Sequence, residues 1–126
     1  MNDAGAKGFV LFNRMFEPDI STNALKHIVP FNLSEHGDYR MSLRYIGILY
    51  KNLNASLAGS TGIHSGADVA KMILLGADAV QIVSAIYLNT PAVITQILSD
   101  LGKFMESNNF KTLDSFRGSL SRDHTK

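Results

Sequence analysis

The first uninterrupted apolar block of the chain is GFVLF, Gly8 to Phe12, ending at Asn13. A short β-favouring run without polar alternation predicts a strand covered on both faces. Further on the spacing changes. Leu43, Ile46, Leu49, Tyr50 and Leu53 recur at three- and four-residue intervals, with Arg44 and Lys51 on other faces. This predicts an amphipathic helix that Ser42 would cap. Ala55 to Ala58 reads as a second strand, and Val69, Met72, Ile73 and Leu75 mark a helix that ends at Gly76. Ala79 to Ser84 supplies a third strand. A last helix carries the stripe Ile94, Ile97, Leu98, Leu101, Phe104 and Met105, with Thr90 as its expected cap and Pro91 at its first helical position.

Between the first strand and the first helix lies a stretch that fits neither period. Pro18, Pro30 and Gly37 break any continuous helix between Glu17 and Met41. It is too long for a simple connector and is expected to cover one end of the fold, with a helical turn at Thr22 to His27 and an extended piece at Ile28 to Leu33. The order strand, excursion, helix, strand, helix, strand, helix is that of consecutive right-handed βαβ units on a parallel sheet, an α/β fold. All three strands read as buried. Three strands nevertheless leave two open edges, so further sequence or another copy is expected to cover them.

Composition narrows the function classes. The 126 residues suit one domain, and 45% apolar content can supply a core. A formal charge of +1 with mixed signs forms no cationic face for nucleic acid. Cysteine is absent, which excludes a disulfide framework, a thiolate nucleophile and a cysteine-based metal site, and suits a cytoplasmic protein. No stretch reaches the roughly 20 apolar residues of a membrane span, and the N-terminus lacks a signal-peptide core.

The densest candidate chemistry is GSTGIHSGADV, Gly59 to Val69, lying between a strand and a helix. A helix start leaves its first N–H groups unpaired with partial positive charge, a place for an anion, and Gly62 lets a ligand approach the backbone. Ser65 and Asp68 also have the spacing of a capping box, which needs no ligand. Local pattern leaves both readings open. A second small-residue strand end follows at Ser84 and Ala85, and two such adjacent ends are how TIM barrels bind phosphate after their seventh and eighth strands. SEHGDYR places Glu35, His36, Asp38 and Arg40 in one loop without the spacing of a preformed metal site. His64 reads as a solvent-facing turn residue.

LAGSTGIHSGADVAKMILLGADAVQIVSAIY resembles the seventh and eighth βα units of the dihydroorotate dehydrogenase family, FMN-dependent TIM barrels. The tail TPAVITQILSDLGKFMESNNFKTLDSFRGSLS is similar to that family's closing helix, its turn at Asn109 and Phe110, and a short terminal helix ending near Gly118. GFVLFNR resembles the family's sixth strand, with an asparagine at its tip. The resemblance covers nearly the whole chain but only the C-terminal part of the barrel. It implies an incomplete TIM barrel over 1–118, with about three parallel strands and their helices, and a disordered tail over 119–126.

The resemblance further implies that FMN phosphate meets N–H groups at Thr61, Gly62 and Ile63 and at Val83, Ser84 and Ala85, helped by the Ser84 hydroxyl. Asn13 would contact substrate or flavin. The family usually has two glycines where Thr61-Gly62 stands and Gly-Thr where Val83-Ser84 stands, so Val83 adds bulk at the phosphate. Family chemistry pairs proton removal by a serine or cysteine base with hydride transfer to flavin, in pyrimidine biosynthesis. No residue here matches that base, and Ser60, Ser65 and Ser84 each have a local role instead. The implied partners are a small substrate, dihydroorotate or similar, and a second copy or complementary chain that completes the barrel. A fragment, a subunit and a non-catalytic phosphate-binding or oligomerisation module all remain open.

Overall fold

The computed structural model describes residues 2–13, 18–30 and 33–121. In chain order the elements are β1 (Gly8–Leu11), β2 (Asp19–Ser21), β3 (Lys26–Ile28), α1 (Arg40–Leu49), β4 (Ser56–Gly59), α2 (Gly66–Leu75), β5 (Ala79–Val80), α3 (Ser84–Asn89) and α4 (Val93–Ser107). The sheet runs β1-β4-β5 and is wholly parallel, with Gly8 opposite Ser56, Leu11 opposite Gly59 and Ala58 opposite Ala79. The strand order matches the βαβ reading. Only β4 is central, and only it carries buried residues, Leu57 and Gly59. The expectation that all three strands are buried is corrected: β1 and β5 are the edges, and Val10 remains 46% exposed.

The excursion is not helical where a turn was expected at Thr22 to His27. β2 and β3 form an antiparallel hairpin with Asp19 opposite Ile28, and Ser21 Oγ accepts the Ala24 N–H at 3.2 Å in the connecting turn. One helical turn is a poor competitor because nucleation fixes several residues for one hydrogen bond, whereas cross-strand pairing satisfies both segments. The extended piece expected at Ile28 to Leu33 begins inside β3; residues 31–32, like Glu17, lie outside the described residues.

α1 starts at Arg40, ahead of the expected Ser42 cap. Ser42 is buried inside the helix and donates its hydroxyl to Ser60 O at 2.8 Å, so a tertiary acceptor takes the group that would have capped. α2 is capped as read: Ser65 Oγ accepts the Asp68 N–H at 3.2 Å, and Asp68 Oδ2 reaches back to the N–H of His64 at 3.0 Å. Ser65→Ala is expected to lower unfolding free energy by about 1 kcal/mol in urea denaturation. No change would show that the cap is dispensable.

The third strand is shorter than expected. After Gln81 donates to Gly59 O at 2.8 Å the chain turns, and Val83 O accepts from Ile86 and Tyr87 to start the additional helix α3. Thr90 therefore follows a helix instead of capping one; it has φ 67°, and α4 begins at Val93 without a side-chain cap. The core gathers Ile46, Leu57, Met72, Ile73, Leu101 and Phe116, from the middle of the chain to its C-terminal segment.

The segment after α4 is a run of turns, in which Leu113 O accepts from Phe116 and Arg117, where a short helix was expected. It is fastened at several points. Gly118 N–H donates to Ile73 O at 2.8 Å, Leu120 N–H to Leu74 O at 2.9 Å, and Ser121 Oγ to Gly47 O at 2.8 Å. Arg117 Nε donates to Ala77 O at 3.1 Å, and its guanidinium pairs with Asp114. Residues 119–121 are thus held against α1 and α2, which corrects a tail beginning at 119; residues 122–126 lie outside the described residues.

Candidate phosphate cradle

Parallel pairing brings the C-terminal ends of β1, β4 and β5 side by side, and hydrogen bonds fix the loops that leave them. Ser60 N–H donates to Leu11 O at 2.8 Å and Thr61 Oγ1 to Phe12 O at 2.6 Å, tying the turn after β4 to the tip of β1. Thr61 and Gly62 both have left-handed backbones, φ 78° and 76°. For threonine this conformation costs on the order of 1 kcal/mol, which its hydroxyl bond offsets. Gly62 is required for a different reason as well: a Cβ there would lie 2.5 Å from Tyr39 N, against the backbone of the excursion.

The turns after β4 and β5 meet through one residue. Ser34 is 5% exposed, and its N–H donates to Ser84 Oγ at 2.8 Å. Its own Oγ accepts the Gly62 N–H at 3.1 Å, and its carbonyl accepts from His64 Nε2 at 3.0 Å. The Nε2 of His64 therefore carries the proton in that contact, since a carbonyl can only accept. His64 is half-buried in this contact, which corrects its reading as a solvent-facing turn residue.

Among the described residues, the N–H groups of Thr61, Ile63, Val83, Ser84 and Ala85 form no hydrogen bond. This is notable for Ile63 and Ala85, which are buried, because buried N–H groups are nearly always paired. Asn13 is exposed beyond the tip of β1. The structure thus gathers the expected phosphate residues on two adjacent loops and keeps Asn13 on the third. Of the groups expected for phosphate, the Gly62 N–H is engaged by Ser34 Oγ, while the Ser84 hydroxyl accepts the Ser34 N–H and keeps its own O–H as a donor.

A polar cluster supports the first turn from behind. The fully buried Asp68 holds the His64 N–H, while His36 Nδ1 lies 3.6 Å from its Oδ2 and Lys71 Nζ 3.9 Å from its Oδ1. Lys71 donates to the Tyr39 hydroxyl at 2.7 Å. Sequence pattern marks Asp68 only as a cap residue and gives no sign of Ser34, a small polar residue in an irregular segment. Its role follows from the folding back of the excursion, which no local periodicity records.

A parallel sheet whose neighbouring strand ends carry small-residue turns places this chain among α/β proteins built from TIM-barrel units. The family model for dihydroorotate dehydrogenase matches residues 33–105, and the chain belongs to that family. It is 36% identical over 88 residues to a putative dihydroorotate dehydrogenase A (fumarate) of Streptococcus equi subsp. equi, covering 67% of this chain and 28% of the relative. It is 35% identical over 63 residues to the chloroplastic dihydropyrimidine dehydrogenase (NADP(+)) of Arabidopsis thaliana, covering 50% of this chain and 15% of that protein. The crystal structure of ligand-free type DHODH from Eimeria tenella superposes with a TM-score of 0.75 at 21% identity, over 95% of this chain and 34% of that one. The chain therefore spans between about a quarter and a third of these dihydroorotate dehydrogenases and has the fold of one portion of their barrel.

Proposed function

We propose that this chain is the C-terminal, phosphate-gripping part of an FMN-dependent dihydroorotate dehydrogenase-like oxidoreductase. The observation that carries the reading is the set of unpaired N–H groups at Ile63, Ser84 and Ala85 on two strand ends that a single serine spans. Such donors suit a phosphate because they offer partial positive charge and are already held by the fold, so little ordering accompanies binding. FMN, when bound, supplies the hydride chemistry. This chain's residues anchor the phosphate through Thr61 to Ile63 and Val83 to Ala85, and Asn13 faces the flavin or a dihydroorotate-like substrate. The proton-abstracting base and the remaining barrel lie outside these residues.

The fit is good at Ile63, Ser84 and Ala85 and conditional at Gly62, whose N–H is available only when Ser34 withdraws. The first test is size-exclusion chromatography of the purified chain with flavin absorbance recorded across the protein peak. A yellow peak is expected after loading with FMN, and a colourless monomer that takes up no FMN overturns the reading. Val83, 63% exposed beside these donors, offers a second test that spares the core. Val83→Glu places a carboxylate near the phosphate dianion and is expected to weaken FMN about tenfold, as two like charges within a few ångströms do in a solvated setting. Unchanged FMN affinity in that variant puts the phosphate elsewhere.

A further inference from the structure

We infer that Ser34 is a built-in competitor for phosphate, so that phosphate binding at Gly62 requires its hydroxyl to leave. This rests on the phosphate-binding reading and assigns that site its regulation. Three contacts carry it: Gly62 N–H to Ser34 Oγ, Ser34 N–H to Ser84 Oγ, and His64 Nε2 to Ser34 O. They join Ser34 to both loops of the cradle. Its hydroxyl oxygen takes the donor that a phosphate oxygen would take, whereas its N–H uses only a lone pair of the Ser84 hydroxyl, so the competition is at Gly62. The backbone at Asp38 and Tyr39 lies against Gly62, so the whole segment from Ser34 to Tyr39 rests on this turn.

The exchange is chemically balanced for switching. A neutral hydroxyl at 3.1 Å satisfies the Gly62 N–H in the absence of ligand, which a buried donor requires. A phosphate oxyanion makes the stronger, charge-assisted bond to the same group, so it displaces Ser34 once its concentration suffices. Until then the fraction of chains with Ser34 in place lowers the apparent affinity by that fraction. Ligand binding accordingly turns the Ser34 hydroxyl away from Gly62, while the segment stays held through the Ser34 N–H, the Ser34 carbonyl and the Tyr39 hydroxyl.

The experiment is a titration of the full chain and of Ser34→Ala with inorganic phosphate and with FMN, following the amide NMR signals of Gly62, Ile63, Ser84 and Ala85. Ser34→Ala removes the competing acceptor and is expected to bind both ligands about two- to tenfold more tightly, the value of one ordinary hydrogen bond. Ser34→Thr retains a hydroxyl and is expected to stay within twofold of the parent chain, which separates loss of the acceptor from general loosening. Binding by the parent chain with equal or weaker binding by Ser34→Ala overturns the competition and leaves the phosphate reading standing. Absence of amide shifts at all four positions in both proteins, up to millimolar ligand, overturns the phosphate reading and the competition together. Should Ser34→Ala lose its fold, Ser34→Cys, a weaker acceptor of similar shape, is expected to show the tighter binding; affinity equal to the parent's overturns the competition.

Discussion

Phe116→Ala is expected to lower the unfolding free energy by about 3–5 kcal/mol. Phe116 has no exposed surface, stacks on Phe110 at 4.7 Å and 18°, and meets the Phe104 ring edge-on at 5.7 Å. Truncation removes the ring from a three-membered aromatic cluster and leaves a void that its neighbours fill only in part. The segment around it is also the strap that crosses α2, because Gly118 N–H donates to Ile73 O and Leu120 N–H to Leu74 O. Loss of the ring therefore loosens the closing strap as well as the core. Urea denaturation measures the effect, and Phe116→Leu is expected to recover more than half of it. A loss under 1 kcal/mol for Phe116→Ala would show that the post-α4 segment contributes little to the fold.

Gly66→Ala is expected to cost about 2–3 kcal/mol by overpacking. Gly66 is the first residue of α2, and a Cβ there would stand 2.6 Å from Asp100 Cβ, 2.7 Å from Ile97 O and 2.8 Å from Leu101 N. Two of those atoms belong to the backbone of α4, so no rotamer change relieves the clash and one helix must move. Because Ser65 and His64 precede Gly66 directly, that movement pulls on the cap and on the turn at Thr61 to Ile63. The melting temperature should fall by about 6–15 °C for a domain of this size, and FMN uptake should fall with it. A melting point within 2 °C of the parent chain would mean that α2 and α4 have room the packing does not show. Gly102, on α4, has open space where a Cβ would go and is the control: Gly102→Ala is expected to be neutral or slightly stabilising.

Neither effect is legible in the local sequence. Phe116 is one of several aromatic residues near the C-terminus, and nothing in FKTLDSFRGS says which ring enters the core. Gly66 reads as a helix-start residue, yet the constraint on it comes from α4, some thirty positions away in sequence. Ser42 is a similar case: cap chemistry is local, but its hydroxyl found Ser60 O across the fold. Thr90 and Pro91 carry strong helix-start signals that α3 overrode by occupying the preceding residues.

The sequence by itself determined the alternation of β1, α1, β4, α2, β5 and α4, the parallel α/β class, the Ser65 cap, the Gly76 stop and the family, because each depends on spacing or residue type within a few turns of chain. The two loops of the cradle were equally visible as small residues after apolar strands. Only the tertiary structure decided that β1 and β5 are edges, that the excursion is a hairpin, and that Ser34 stands between Gly62 and Ser84. The hairpin pairs residues close in sequence but gives no apolar period, while the Ser34 contacts join residues about 30 to 50 positions apart, and their free energies arise from burial and hydrogen-bond satisfaction in the assembled chain.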